Sequence, residues 1–224
     1  MNSPFSTLKK KYLRLRYLAL TISILFHPVF ITPFHFTYTS LLNAGQLVPF
    51  SNNHLLPQFL SLILITTVIV PLLMISVHFY FSGKPIKLDS YMLSNHKERI
   101  YPFLNTAFYF TGITYLFYNT LNMNDYICSF MSMVSLSLYC IAFISIFYKI
   151  SAHALASSAW LGYSIMLGFI SVDYNYLYEI CGLTLLLGFI CSARIFLKAH
   201  DSAQLIWGII VGIVCAFINI IWFL

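Results

Sequence analysis

Apolar runs at about 17–41, 58–81, 103–120, 127–148, 154–172, 177–197 and 205–224 fill most of the chain and leave only short polar joints between them. A hydrocarbon core about 30 Å thick takes ~20 apolar residues of helix to cross, which is the size of most of these runs. Inside lipid every backbone polar group needs a partner within the protein, so only helices or closed barrels can cross. Barrel strands would show alternation over about ten residues, and these runs are continuous. The chain therefore reads as an all-α, polytopic transmembrane helical bundle of about seven spans. Composition agrees, with 60% of the 224 residues hydrophobic and 8% charged, against about a quarter charged in soluble domains.

Residues 1–16 read as a basic tail and 17–224 as one transmembrane domain. The joints Asn122-Met-Asn-Asp125 and Asp173-Tyr-Asn-Tyr176 are short and polar, as the tips of helical hairpins are. In the first run Pro28 and Pro33 stand beside His27 and His35, a pattern able to break a span into two pieces. Five cysteines lie inside apolar runs with no CxxC pair and read as buried thiols.

With alternating crossings, the tail, the 82–102 loop and the joints near 149–153 and 198–204 share one side. All twelve Lys and Arg fall there, while the other side carries only Asp125, Asp173 and Glu179. The positive-inside rule then places the basic side, and the N-terminus, in the cytoplasm. Lys9 to Arg16 read as a topology anchor for anionic headgroups, so membrane lipids and not nucleic acid are the expected contacts. Oligomeric state is not encoded in any of these features.

Three basic clusters sit where apolar runs begin or end: His96-Lys97-Glu98-Arg99-Ile-Tyr-Pro102, Lys149-Ile-Ser151-Ala-His153, and Arg194-x5-His200-x3-Gln204. Two crossings separate each cluster from the next, which brings all three to one face. An Arg and a His at a membrane boundary are costly, and by default they mark a site. The inventory is guanidinium and ammonium groups, two imidazoles and a hydroxyl, with no carboxylate pair and no metal-ligand spacing. It suits a phosphate, because arginine's planar fork matches phosphate oxygens and a helix start at Ser151 offers free amides. One histidine can attack phosphorus while the other protonates the leaving oxygen, with no metal or cofactor called for. Plainer readings exist for some of these residues. Asp201 and Gln204 match a capping box, Arg194 and Lys198 can snorkel to headgroups, and Gly208-x3-Gly212 suits close helix packing within the bundle.

The three clusters, in this order, resemble the motifs of the type 2 phosphatidic acid phosphatase superfamily, Lys-x6-Arg-Pro, Pro-Ser-Gly-His and Ser-Arg-x5-His-x3-Asp. The third matches best, and the chain looks closest to small bacterial membrane members typical of Bacteroidota. The resemblance covers about 84–212 and allows a six-helix core as the alternative span count. It implies a metal-independent lipid-phosphate phosphatase of a bacterial inner membrane, a phosphoric monoester or diphosphate hydrolase acting through a phosphohistidine. It further implies His200 as nucleophile, His153 as general acid, and Arg194, Arg99, Ser151, Lys97 and Lys149 as phosphate ligands. Gln204 stands where the family has an aspartate, and an amide orients a histidine without neutralising its charge. Phosphorylated lipids or polyprenyl phosphates would be the substrates. Two other readings remain open: a protein that binds or moves a phosphate-bearing lipid without turnover, and a structural membrane subunit.

Overall fold

The computed structural model describes residues 4–42, 47, 55–83, 96–171 and 174–223, and every regular element among them is helical. In chain order these are α1 (Pro4–Leu25), α2 (Pro28–Leu42), α3 (Leu56–Phe81), α4 (Ile100–Asn119), α5 (Asp125–Ile144), α6 (Ala152–Ile170), α7 (Leu177–Phe196) and α8 (Ser202–Phe223). A 3-10 turn, His96–Arg99, leads into α4. Lys84, Lys87, His54 and Asp173 lie outside the described residues, as does the side chain of His96.

Five helices, α3, α5, α6, α7 and α8, are long and apolar enough to cross a membrane, and α1 with α2 adds a sixth if the bent pair is one span. The chain is a multi-pass helical membrane protein. The seven expected spans thus become five or six. The run that falls short is α4, whose 20 residues include four tyrosines, three threonines and two asparagines. Large apolar side chains such as Phe169, Phe189 and Trp222 stand exposed on the outer faces, where hydrocarbon would meet them. Cys181 is also exposed, against the expectation that all five thiols are buried.

The first run is not one straight span. Pro28 disfavours helical backbone at His27, and the chain bends by 68° between Lys11–Leu25 and Pro28–Leu42. In the N-terminal segment α1 is continuous from Pro4 across the boundary drawn at residue 16, because 5–25 holds no Pro or Gly to stop it. Further along, Pro71 has no N–H to offer the Thr67 carbonyl, and the helix widens to π geometry over Ile65–Ile69, with the Val70 N–H reaching back to Ile65 O. At the first hairpin tip Asn122 takes φ 47° and Asn124 caps α5, its Oδ1 accepting from Ile127 N at 3.1 Å.

The seam that positions the basic end is α6 against α8. A Cβ added at Gly208 would lie 2.8 Å from Ser151 O, and one at Gly212 would meet Ser158 Oγ and Leu155 O. Only hydrogen at these two positions lets the backbones lie this close, so the Gly208-x3-Gly212 pair serves packing within the bundle. Its consequence is local: the N-terminus of α8 is drawn against the N-terminus of α6, where Ser151 N donates to Gln204 O at 3.1 Å.

Candidate functional site

The three basic clusters meet at one end of the bundle and are tied together by hydrogen bonds. Arg99 Nη1 donates to Ile150 O at 3.1 Å, and Lys149 Nζ donates to Ala199 O at 3.3 Å. The joint from Lys149 to Ser151 is therefore the middle piece, with Arg99 bonded to one side and the α7–α8 joint to the other.

A fourth piece comes from α1. Ser23 is buried, its hydroxyl accepts from Arg194 Nη1 at 2.8 Å, and its carbonyl oxygen accepts from His153 Nε2 at 3.0 Å. One residue of the first helix thus sets the spacing between the guanidinium and the imidazole. Arg194 Nε is buried with no hydrogen-bond partner among the described residues.

Beside these groups lies a cavity of about 530 Å³, walled by Tyr12, Arg16, Arg99, Lys149, Arg194 and Lys198, with Leu20 and residues 196, 197 and 199 completing it. Five of its ten lining residues are cationic and none is acidic. Like charges brought together in a partly buried space repel, and a bound anion relieves the repulsion. Burial and the Arg194 charge hold the Arg99 guanidinium at about 10, and Lys149 is lowered by burial and by Arg99 and Arg194, with the Asp201 carboxylate opposing. Lys198 follows the C-terminus of α7 with φ 53°, a left-handed conformation usually given to glycine, and Ala199 N closes the turn on Arg194 O at 3.1 Å.

His200 follows Ala199, the last residue of this wall; it is itself buried, does not line the cavity, and lies within electrostatic reach of Arg194, Arg99 and Lys149. Its Nδ1 lies 2.8 Å from Gln204 Oε1. An amide oxygen only accepts, so Nδ1 carries the proton and Nε2 carries the lone pair. Burial lowers the imidazole to about 4, helped by Arg194, Arg99 and Lys149 and opposed by the Gln204 bond. The ring is therefore neutral at pH 7, with a free base on Nε2. The capping box forms only by half: Asp201 Oδ1 accepts from Gln204 N at 2.8 Å, while the Gln204 side chain turns to His200 instead of back to the helix start.

Other expected residues fare differently. Ser151 is fully buried and caps α6, its Oγ accepting from Ala154 N at 3.4 Å, so it holds the helix start and does not line the cavity. His153 is also buried off the cavity wall, tied to Ser23 through Nε2. Lys97, two residues before buried Arg99, is exposed in the 3-10 turn and does not line the cavity. Arg16, Tyr12 and Ser23 were not among the candidates. Tyr12, Arg16, Leu20 and Ser23 repeat every three to four residues, and this helical stripe was their signal in the sequence.

Among the described residues no three His, Cys, Asp or Glu side chains gather as a metal site. Comparison with models of known protein families, with characterised proteins and with solved structures finds no match for this chain.

Proposed function

We propose that this protein is a phosphohydrolase of lipid phosphates, working from the cation-rich end of the bundle, with that end facing the cytoplasm. The observation that carries the reading is His200, whose Nδ1 is held by Gln204 Oε1 at 2.8 Å beside a cavity walled by five cations. The phosphoryl group of the substrate sits among Arg194, Arg99 and Lys149, whose charges stabilise its oxygens as the transfer proceeds. His200 Nε2 attacks phosphorus, the bond from phosphorus to the lipid oxygen breaks, and that oxygen takes a proton from Nδ1 of His153. The anionic substrate holds His153 in its doubly protonated form, with Nε2–H on Ser23 O and Nδ1–H on the leaving oxygen. Ser23 O, bonded to His153 Nε2, fixes the ring so that Nδ1 is the nitrogen left for the substrate. Water then attacks the phosphohistidine, gives its proton to His153 and releases phosphate. The apolar helices around the site suit a substrate held in the bilayer, such as phosphatidic acid, phosphatidylglycerol phosphate or a polyprenyl phosphate.

The test is phosphate release from these lipids by the purified protein in nanodiscs. Release is expected from the wild type and from neither His200→Ala nor His153→Ala, and undiminished release in those variants overturns the mechanism. Gln204 favours a second reading, because an amide cannot neutralise the charge that builds on His200. Under it the same pocket binds or moves the lipid without turnover, and binding that needs Arg194 and Arg99 with no release from any substrate would select it.

A further inference from the structure

Resting on the phosphate reading of the basic end, we propose that the break in the first span supplies a direct phosphate ligand, His27, whose Nε2–H donates to a phosphoryl oxygen. His27 occupies the bend between α1 and α2, and four observations bear on what its ring does there.

First, its tautomer is fixed by the helix that follows. Pro28 has no N–H, so Val29 N is the first amide of α2 that needs an acceptor, and it donates to His27 Nδ1 at 3.4 Å. An Nδ1 that accepts leaves the proton of the neutral ring on Nε2. Second, the ring stands edge-on to His153, with centroids 5.3 Å apart and planes at 88°. Third, it lies within electrostatic reach of Arg194 as well as His153. Fourth, Arg194 itself has a buried Nε with no partner among the described residues, so the guanidinium beside His27 still has a donor to give. His27 is only partly buried, unlike His153. A neutral imidazole donating from Nε2 binds an anion without taking part in proton transfer, so its role is distinct from that of His153. Ser23 joins Arg194 to His153 from within α1, and the bend four residues on sets His27 against His153 and within electrostatic reach of Arg194.

The ligand chemistry is a phosphoryl dianion, whether a lipid headgroup or free phosphate. Binding of inorganic orthophosphate, and separately of nanodiscs containing phosphatidic acid, would be measured for wild type, His27→Phe, His27→Ser and His27→Gln. Thermal unfolding of each variant shows that it is folded. Phe keeps the ring contact and loses the donor, and Ser keeps a capping acceptor for α2 with no reach. Gln restores an N–H donor. Phe and Ser are expected to weaken both arms by about tenfold or more, the scale of a lost hydrogen bond to a charged group, with partial recovery in Gln. Unchanged orthophosphate binding in His27→Phe and His27→Ser overturns the inference and leaves the phosphate site standing, since a helix cap or a packing ring would behave that way. Weakening confined to the lipid arm also overturns it. Wild-type protein that binds neither probe removes the phosphate reading itself.

Discussion

The bundle buries polar side chains in two regions and treats them in opposite ways. In the half away from the basic clusters, the groups are neutral or complementary and mostly satisfy one another, with His35 Nδ1 left without a hydrogen-bond partner among the described residues. Tyr126 OH lies 2.8 Å from both Thr39 Oγ1 and His35 Nε2, while Tyr163 OH donates to Tyr126 O at 3.1 Å and pairs with Ser129 Oγ at 2.6 Å. The carboxylate there, Glu179, accepts from Ser164 Oγ at 2.6 Å and from Trp160 Nε1 at 3.2 Å. Phe130 stacks on His35 at 3.6 Å, which closes the cluster with aromatic surface. At the other end two buried guanidiniums, Arg99 and Arg194, share with half-buried Lys149 and exposed Arg16 and Lys198 a wall that carries no acid, and Arg194 Nε has no hydrogen-bond partner among the described residues. A region that satisfies itself adds to stability. A region of like charges subtracts from it until a counter-ion arrives, the trade expected of binding sites.

The largest expected effect tests that contrast directly. Arg194→Met removes one charge from the cationic wall and leaves a chain of similar length. Orthophosphate binding is expected to fall by about 100-fold, because a buried guanidinium makes charge-assisted bonds, while the thermal midpoint of the empty protein holds or rises. The mirror experiment, Glu179→Leu, is expected to lower the thermal midpoint and leave orthophosphate binding alone. If Arg194→Met unfolds the protein, or Glu179→Leu abolishes binding, the division into a site and a scaffold is wrong.

The same division explains which parts were legible in the sequence. Convergence of Arg99, Lys149 and Arg194 followed from counting apolar runs, because clusters separated by two antiparallel helices share an end of the bundle, even where one of the two, α4, falls short of a span. The pair Gly208 and Gly212 likewise announced a close seam. What escaped were contributions depending on a bend. With 17–41 taken as one span and 1–16 as a tail, Arg16 and Ser23 belonged to different units, although they share a helical stripe with Tyr12 and Leu20. The pairing of Lys97 with Arg99 missed for the reverse reason: proximity in sequence suggested a shared role, and the 3-10 turn leaves Lys97 exposed and Arg99 buried. The neutral network was invisible, since Tyr and Ser in apolar runs look alike whether they face lipid or each other.

Next in size is the substitution that restores the acid expected at the end of the third motif. Gln204→Asp puts a carboxylate on His200 Nδ1, and if turnover occurs the rate is expected to rise by about tenfold or more, the sense given by triad aspartates. Its pH dependence separates this from a change in binding. In the wild type His200 sits at about 4 against an ordinary 6.5, so its Nε2 lone pair persists from neutral pH down to about pH 4. The stability that goes with the lowered value is complete above 6.5 and is lost as the pH falls from there toward 4, because the unfolded chain takes up the proton first. A neighbouring carboxylate raises the folded value, so the acid limb of the rate should move upward in Gln204→Asp. A limb that stays in place would mean that residue 204 does not control the histidine.

The smaller effects come from one hydrogen bond and one backbone conformation. Tyr126→Phe removes the hydroxyl shared by Thr39 and His35 and should cost about 1 kcal/mol, within the range of hydrogen bonds between membrane helices, with phosphate binding untouched. Lys198→Gly should move stability the other way. Lys198 holds φ 53°, where a side chain costs about 1 kcal/mol and glycine costs nothing. A chain selected for stability alone would place glycine after the α7 terminus, as Schellman turns do. Lys198 lines a cavity with four other cations, and on the proposed reading its charge serves the bound phosphate. Lys198→Gly is therefore expected to raise the thermal midpoint slightly and to weaken orthophosphate binding a few-fold, about the worth of one partly exposed charge. A variant that gains stability and binds as well as the wild type would show that the turn's strain has no functional counterpart, and the cationic wall would then rest on Arg16, Arg99, Lys149 and Arg194 alone.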